Sequence, residues 1–107
     1  MDYLLIESGG PAEGPGAVRF IADATALAGQ GASVALVLIQ NGVAGAVAGT
    51  MTGLEDFVGR GGQLWIDEFS VRQRALDRGD LISGARVTGM GDLADALLTP
   101  GVRAVWH

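Results

Sequence analysis

At 107 residues and 10.9 kDa the chain can enclose one hydrophobic core and not two. Apolar residues make up 49%, charged residues 18% and the mean hydropathy is +0.35, which excludes disorder driven by low hydrophobicity and high charge. Cysteine and lysine are both absent, all 7 basic residues being arginine, so disulfides, thiolate metal sites, a persulfide carried on this chain, Schiff bases and a phosphate-binding Walker lysine are excluded. The net charge of −5 and pI near 4.5 oppose a nucleic-acid backbone or an anionic membrane as partner, since both require clustered positive charge. Met1-Asp2-Tyr3 has no basic n-region, and the longest apolar run, Val34 to Ile39, is far shorter than a membrane span. A cytoplasmic protein is expected.

In chain order, Tyr3 to Glu7 and Val34 to Ile39 are continuously apolar where a half-buried strand would alternate. That pattern predicts strands covered on both faces, as in a parallel sheet. Gln63 to Asp67, Ala85 to Thr88 and Val102 to Trp106 are three further candidates. Between the first two, Val18, Ile21, Ala24, Leu27 and Ala28 recur at helical spacing, predicting a helix from about Gly16 to Gln30, with Gly31 ending it. A second helical pattern begins at Val43 but is interrupted by Gly45, Gly49 and Gly53. Close packing at a subunit interface or a local break would explain these glycines, and the capping-box spacing of Thr52-Gly53-Leu54-Glu55 favours the break, with a fresh helix from Thr52 to near Gly61. Ser70-Val71-Arg72-Gln73 repeats that spacing, predicting Ser70 as N-cap of a short helix stopped by Gly79. A last helix runs from Asp92 to Leu98, ended by Thr99-Pro100-Gly101. Strand and helix alternate throughout, so residues 1–107 are expected to form one three-layer α/β/α sandwich on a mainly parallel five-stranded sheet.

Ligands of open parallel sheets bind beyond the carboxyl ends of the strands. The loops expected at that edge carry Glu7, Ser8, Gly9, Gly10 and Glu13, then Gln40 and Asn41, then Asp67, Glu68 and Ser70, then Met90 and Gly91. From these, Ser8, Gly9, Gly10, Gln40, Asn41, Asp67, Glu68, Ser70 and Met90 are the expected ligand-binding residues, with no metal, cofactor or catalytic residue assigned. The glycine-rich loop before Gly16 leads into a helix N-terminus but matches no phosphate-binding motif, and Glu13 would oppose an anion. Glu7, Asp67 and Glu68 could pair as a cation site or as acid and base. Consecutive residues of a strand point to opposite faces, however, and carboxylates ahead of a helix are favoured by its dipole alone. His107 is the only histidine and the last residue, an unpromising place for a Ser-His-Asp triad. Trp65, Phe69 and Trp106 read as core or interface anchors, and Arg72, Arg74 and Arg78 as solvated charges.

Leu64-Trp65-Ile66-Asp67, Ser70-Val71-Arg72, Asp80-Leu81-Ile82-Ser83-Gly84, Val87-Thr88-Gly89 and Leu93-Ala94, in that spacing, resemble the DsrE family. That family includes the DsrE, DsrF and DsrH proteins and their TusD, TusC and TusB counterparts in sulfur relay. Leu38-Ile39-Gln40-Asn41-Gly42-Val43 is similar to the family's second-strand exit, and Val105-Trp106 to the end of the DsrH and TusB branch. The resemblance implies a DsrE-like fold, homo- or hetero-oligomers of similar subunits, and sulfur-transfer proteins as partners. In the sulfur-carrying members a cysteine ends the third strand; Asp67 stands at that position here and cannot be persulfidated. The expected function is therefore that of a non-carrier subunit or binding module. The alternative is a small metal-dependent or acid/base enzyme, or a ligand binder, using the strand-edge carboxylates.

Overall fold

A computed structural model describes the whole chain, Met1–His107. Five strands, β1 (Tyr3–Glu7), β2 (Val34–Leu38), β3 (Gln63–Asp67), β4 (Arg86–Thr88) and β5 (Arg103–Trp106), form one sheet of order β4-β3-β2-β1-β5. Every pairing is parallel. The helices are α1 (Gly16–Gly29), α2 (Thr52–Gly59), α3 (Glu68–Gln73) and α4 (Met90–Leu98). The α/β sandwich expected from the sequence is the architecture observed, with each strand within a residue of its expected bounds. No helix is long and apolar enough to cross a membrane.

The continuous apolarity of β1 and β2 has the predicted cause, since both faces are buried. Leu5, Leu36, Leu38, Leu64 and Ile66 pack with Ile21, Ala24, Leu54 and Phe57 of α1 and α2 in the larger core. Leu4, Ile6, Ala35, Val37 and Trp65 pack under Leu93 and Ala96 of α4 on the other face. Trp65 is buried and carries the Arg86 guanidinium at 5.4 Å from its ring, whereas Phe69 and Trp106 are exposed at 56% and 65%.

Three local expectations need correction. Thr52 begins α2, but Met51 is its N-cap and no side chain caps it, so the Thr-x-x-Glu spacing marks the start without forming the box. Ser70 is not an N-cap: Asp67 caps α3 and Ser70 lies inside its first turn. Nor does Gly79 end α3, which stops at Gln73; Ala75 then takes a left-handed φ of 51° and Arg78–Asp80 form a separate 3-10 turn. The expected break before α2 is present. A 3-10 turn over Gln40–Ala46 is followed by extended backbone at Val47, which bridges to Leu81, and by Gly49 at φ 84°.

Gly62, between α2 and β3, is required by close approach, because a Cβ there would lie 2.3 Å from the fully buried Phe57 ring. Gly62→Ala should destabilise the fold by about 1–3 kcal/mol, read from chemical denaturation. Gly59→Ala, whose Cβ meets no atom within 4 Å, should be neutral or stabilising by up to about 1 kcal/mol. Equal effects of the two substitutions would refute the packing assignment.

Candidate functional site

Because all strands run in one direction, the exits of β1, β2 and β3 and the end of β5 share one edge. Two of these exits approach backbone to backbone. Gly42 donates its N–H to the Ser8 carbonyl at 3.1 Å, and a Cβ on Gly42 would stand 2.5 Å from the Glu7 carbonyl oxygen. A Cβ on Gly10 would stand 2.7 Å from the Asn41 carbonyl oxygen. These contacts hold the loop after β1 against the 3-10 turn after β2 and leave a cavity of about 330 Å³ between them. Glu7, Ser8, Gly9, Gly10, Glu13, Gln40, Asn41 and His107 line it, and Ala17 is the one apolar side chain in its wall.

Glu7 is only 1% exposed. Its neighbours across the ladder explain how a carboxylate is tolerated there: a buried charge must be paired and hydrogen-bonded. The β1–β5 register ends at Ile6 opposite Trp106, and the ladder continues as His107 donates its N–H to the Ile6 carbonyl at 2.8 Å and Ser8 donates to the His107 carbonyl at 3.1 Å. His107 thus lies beside Glu7 on the same face, its Nδ1 2.8 and 2.9 Å from the two carboxylate oxygens. Gly9 donates its N–H to Glu7 Oε2 at 3.0 Å. The His107 ring stacks on Phe20 of α1, with centroids 5.1 Å apart and planes 17° apart.

Glu13 forms the opposite wall. Its carboxylate accepts from the Gly10 N–H and from the Asn41 side-chain amide at 2.9 Å, and Arg74 donates to the Asn41 side-chain oxygen Oδ1 at 2.8 Å. The Gly10 N–H first, then the Asn41 amide, with the Arg74 charge behind them, hold the Glu13 carboxyl below the usual carboxylate range. Arg74 is therefore engaged with the site and not merely solvated. Arg72 and Arg78 pair with Glu68 on the surface at 3.7 and 3.3 Å.

Asp67 and Ser70 are buried beside the cavity and do not line it. The Ser70 hydroxyl donates to Asp67 Oδ2 at 2.6 Å, the Ser70 N–H donates to the same oxygen at 3.0 Å, and Ser70 Oγ accepts from the Gln40 N–H at 2.8 Å. That last bond supports Gln40, which adopts a left-handed φ of 50°. Asp67 does not converge with Glu7. Ile66 shares the face of Leu38 and Glu7, so Asp67 leaves on the other. Glu13 is instead the carboxylate near Glu7, one oxygen of each lying 3.5 Å from the position of a Cβ on Gly9. Of the nine expected ligand-binding residues, Ser8, Gly9, Gly10, Gln40 and Asn41 meet at the cavity, while Glu68 and Met90 lie outside it. No group of three or more His, Asp or Glu side chains is placed to hold a metal ion. His107 was passed over at the sequence level. Only the register, with Tyr3 opposite Arg103 and Ile6 opposite Trp106, makes Glu7 and His107 lateral neighbours.

Asp67→Ala should lower stability by about 1–3 kcal/mol, because it removes a helix cap and leaves the buried Ser70 hydroxyl without its acceptor. The Gln40 amide resonance should shift with it; an unchanged denaturation midpoint would contradict the supporting role. A carboxyl whose folded value is depressed contributes its stabilisation above the unfolded value, and that contribution is lost as pH falls through the folded one. The Gly10 amide shift should therefore titrate with a midpoint below the ordinary glutamate range. A midpoint within or above that range would show that the Glu13 contacts do not form.

No protein-family model matches the sequence, and no curated protein matches it. Solved structures do. The YchN protein from E. coli superposes with a TM-score of 0.82 at 19% identity, over 98% of this chain and 100% of that one. MTH1491 from Methanobacterium thermoautotrophicum, described as a protein of unknown function, gives a TM-score of 0.76 at 17% identity over the full length of both. Likeness at this identity establishes fold, and the chain has the DsrE-like α/β fold.

Proposed function

We propose that this chain is a noncovalent binding module, a non-carrier subunit in a sulfur-relay or related cytoplasmic assembly. The observation that carries the proposal is the state of Asp67. It ends β3 ahead of α3, where sulfur-carrying members of the resembled family keep a cysteine. Its carboxylate is 3% exposed and holds Ser70, which in turn holds the Gln40 backbone at the cavity rim. The residue at the carrier position thus supports a recognition surface. The polar lining favours a small ligand bound by hydrogen bonds.

Association with similar subunits completes the proposal. Leu98 of α4 is 81% exposed and Trp106 is 65% exposed on the edge strand β5, whose outer side has no partner strand. A second subunit covering these side chains would remove apolar surface from water and close the open edge.

A second reading, acid/base chemistry at the same edge, is favoured by the contact between Glu7 and His107. It does not use Asp67 or Glu68, whose carboxylates engage Ser70 and the two arginines.

Light scattering at micromolar concentration should report an oligomer, and Trp106→Glu with Leu98→Glu should reduce it to monomer; a monomeric parent chain refutes the assembly. Affinity capture with the parent chain should recover a sulfurtransferase or a persulfide carrier, in amounts reduced by Gln40→Ala with Ser8→Ala. Absence of both protein classes from the captured fraction refutes the relay role.

A further inference from the structure

The buried Glu7 carboxylate has a second consequence besides closing the β1–β5 ladder. An ionised carboxylate only accepts hydrogen bonds, so an imidazole nitrogen lying 2.8 and 2.9 Å from its two oxygens carries the proton. In the neutral ring this contact places the hydrogen on Nδ1 and leaves the lone pair on Nε2. Nδ1 is tied to Glu7, while no hydrogen bond of Nε2 is present, and the side chain remains 48% exposed at the cavity wall. The ring is clamped from two further directions, by Phe20 stacked against it and by Gly16, where a Cβ would stand 3.0 Å from Cε1 and 3.4 Å from Nε2. A carboxylate that orients an imidazole whose other nitrogen is free is the arrangement of a general base.

Resting on the reading of this cavity as a small-ligand site, and deepening its acid/base alternative, we propose that His107 Nε2 is its proton-transfer group and that Glu7 is the positioning residue. The substrate class is small, uncharged hydroxycarbonyl compounds. Glu7 and Glu13 in the wall disfavour a ligand that enters as an anion, the Ser8 oxygen, whose proton goes to the His107 carbonyl, and the Gln40 amide offer hydrogen bonds to hydroxyl groups, and 330 Å³ limits the ligand to a small molecule. In the reaction Nε2 takes a proton from the carbon bearing a hydroxyl beside the carbonyl. The C–H electron pair forms the carbon–carbon double bond of an enediolate, and the carbonyl π pair moves to oxygen. The N–H groups of Gly16 and Ala17 lie in the first turn of α1, where no intrahelical acceptor precedes them, and both residues line the same cavity. The imidazolium then returns the proton to the carbon it left, or to the former carbonyl carbon with the remaining hydroxyl proton passing to the former carbonyl oxygen, so no further reactant is consumed.

The test uses dihydroxyacetone in deuterium oxide, with loss of its methylene proton signal followed by NMR. The parent chain should catalyse exchange at least about tenfold faster than His107→Gln. Glu7→Gln should slow exchange, because a carboxamide facing Nδ1 can donate as well as accept and no longer holds the hydrogen there. Glu7→Asp, which keeps an acceptor-only carboxylate, should recover part of the lost exchange; exchange by Glu7→Gln equal to that of the parent chain overturns the positioning role. In the parent chain the nitrogen-15 spectrum of the single imidazole should show Nδ1 protonated and Nε2 bare. Equal exchange by the parent chain and His107→Gln, or an imidazole protonated mainly at Nε2, overturns the proposal. If dihydroxyacetone shifts the imidazole resonances without exchange, the cavity binds and the base assignment falls; if it produces neither, both assignments of the cavity fall for this ligand class.

Discussion

Everything at the carboxyl edge depends on the parallel register of β1 with its two neighbours. Pairing β1 with β2 and with β5 in the same direction brings the Glu7 carboxylate beside His107 on one side and the Gly42 backbone on the other. A shift of one residue would turn Glu7 into the smaller core beneath α4 and remove its imidazole partner, since successive side chains alternate faces. The site is therefore specified by the same ladder that buries Leu4, Leu5 and Ile6. Packing energy, not the weak attraction of exposed groups, holds its geometry.

The loops use their polar residues in two distinct ways. Around Asp67 the hydrogen bonds are buried and face inward, converting a carboxylate and a hydroxyl into a brace for Gln40. Around Glu13 they are more open, and Arg74 reaches the carboxylate only through Asn41. The first arrangement contributes stability because each buried group is satisfied. The second sets the shape and charge of a surface. This division explains how a chain without cysteine keeps a formed strand-edge cavity while its third-strand carboxylate lies beneath the rim.

Most of the fold was legible because it is written in local pattern. The unbroken apolar runs of β1 and β2 and the helical spacing of Val18, Ile21 and Ala24 each reflect burial that operates within a few residues. The spacing of Ser70 to Gln73 imitates a cap, whereas in the fold Asp67, three residues earlier, accepts the Ser70 N–H. The partition of the site was harder still. Glu7, Asp67 and Glu68 are the same chemistry at the same edge, and register alone separates the faces of Glu7 and Asp67. His107 could not be placed from its own neighbourhood, since its partner is 100 positions away and strand order decides whether they meet.

That long separation gives the cavity a particular mechanical character. All four residues of β5 have exposed side chains, and the strand is held by a ladder on only one side, so it belongs to the least protected part of the sheet. Fraying of β5 would carry His107 off Glu7, wet a carboxylate otherwise sealed from solvent, and open one wall of the cavity while the cores under α1, α2 and α4 stayed intact. Opening of β5 would thus expose the site without disturbing either core, and a subunit docked on the outer side of β5 would oppose it.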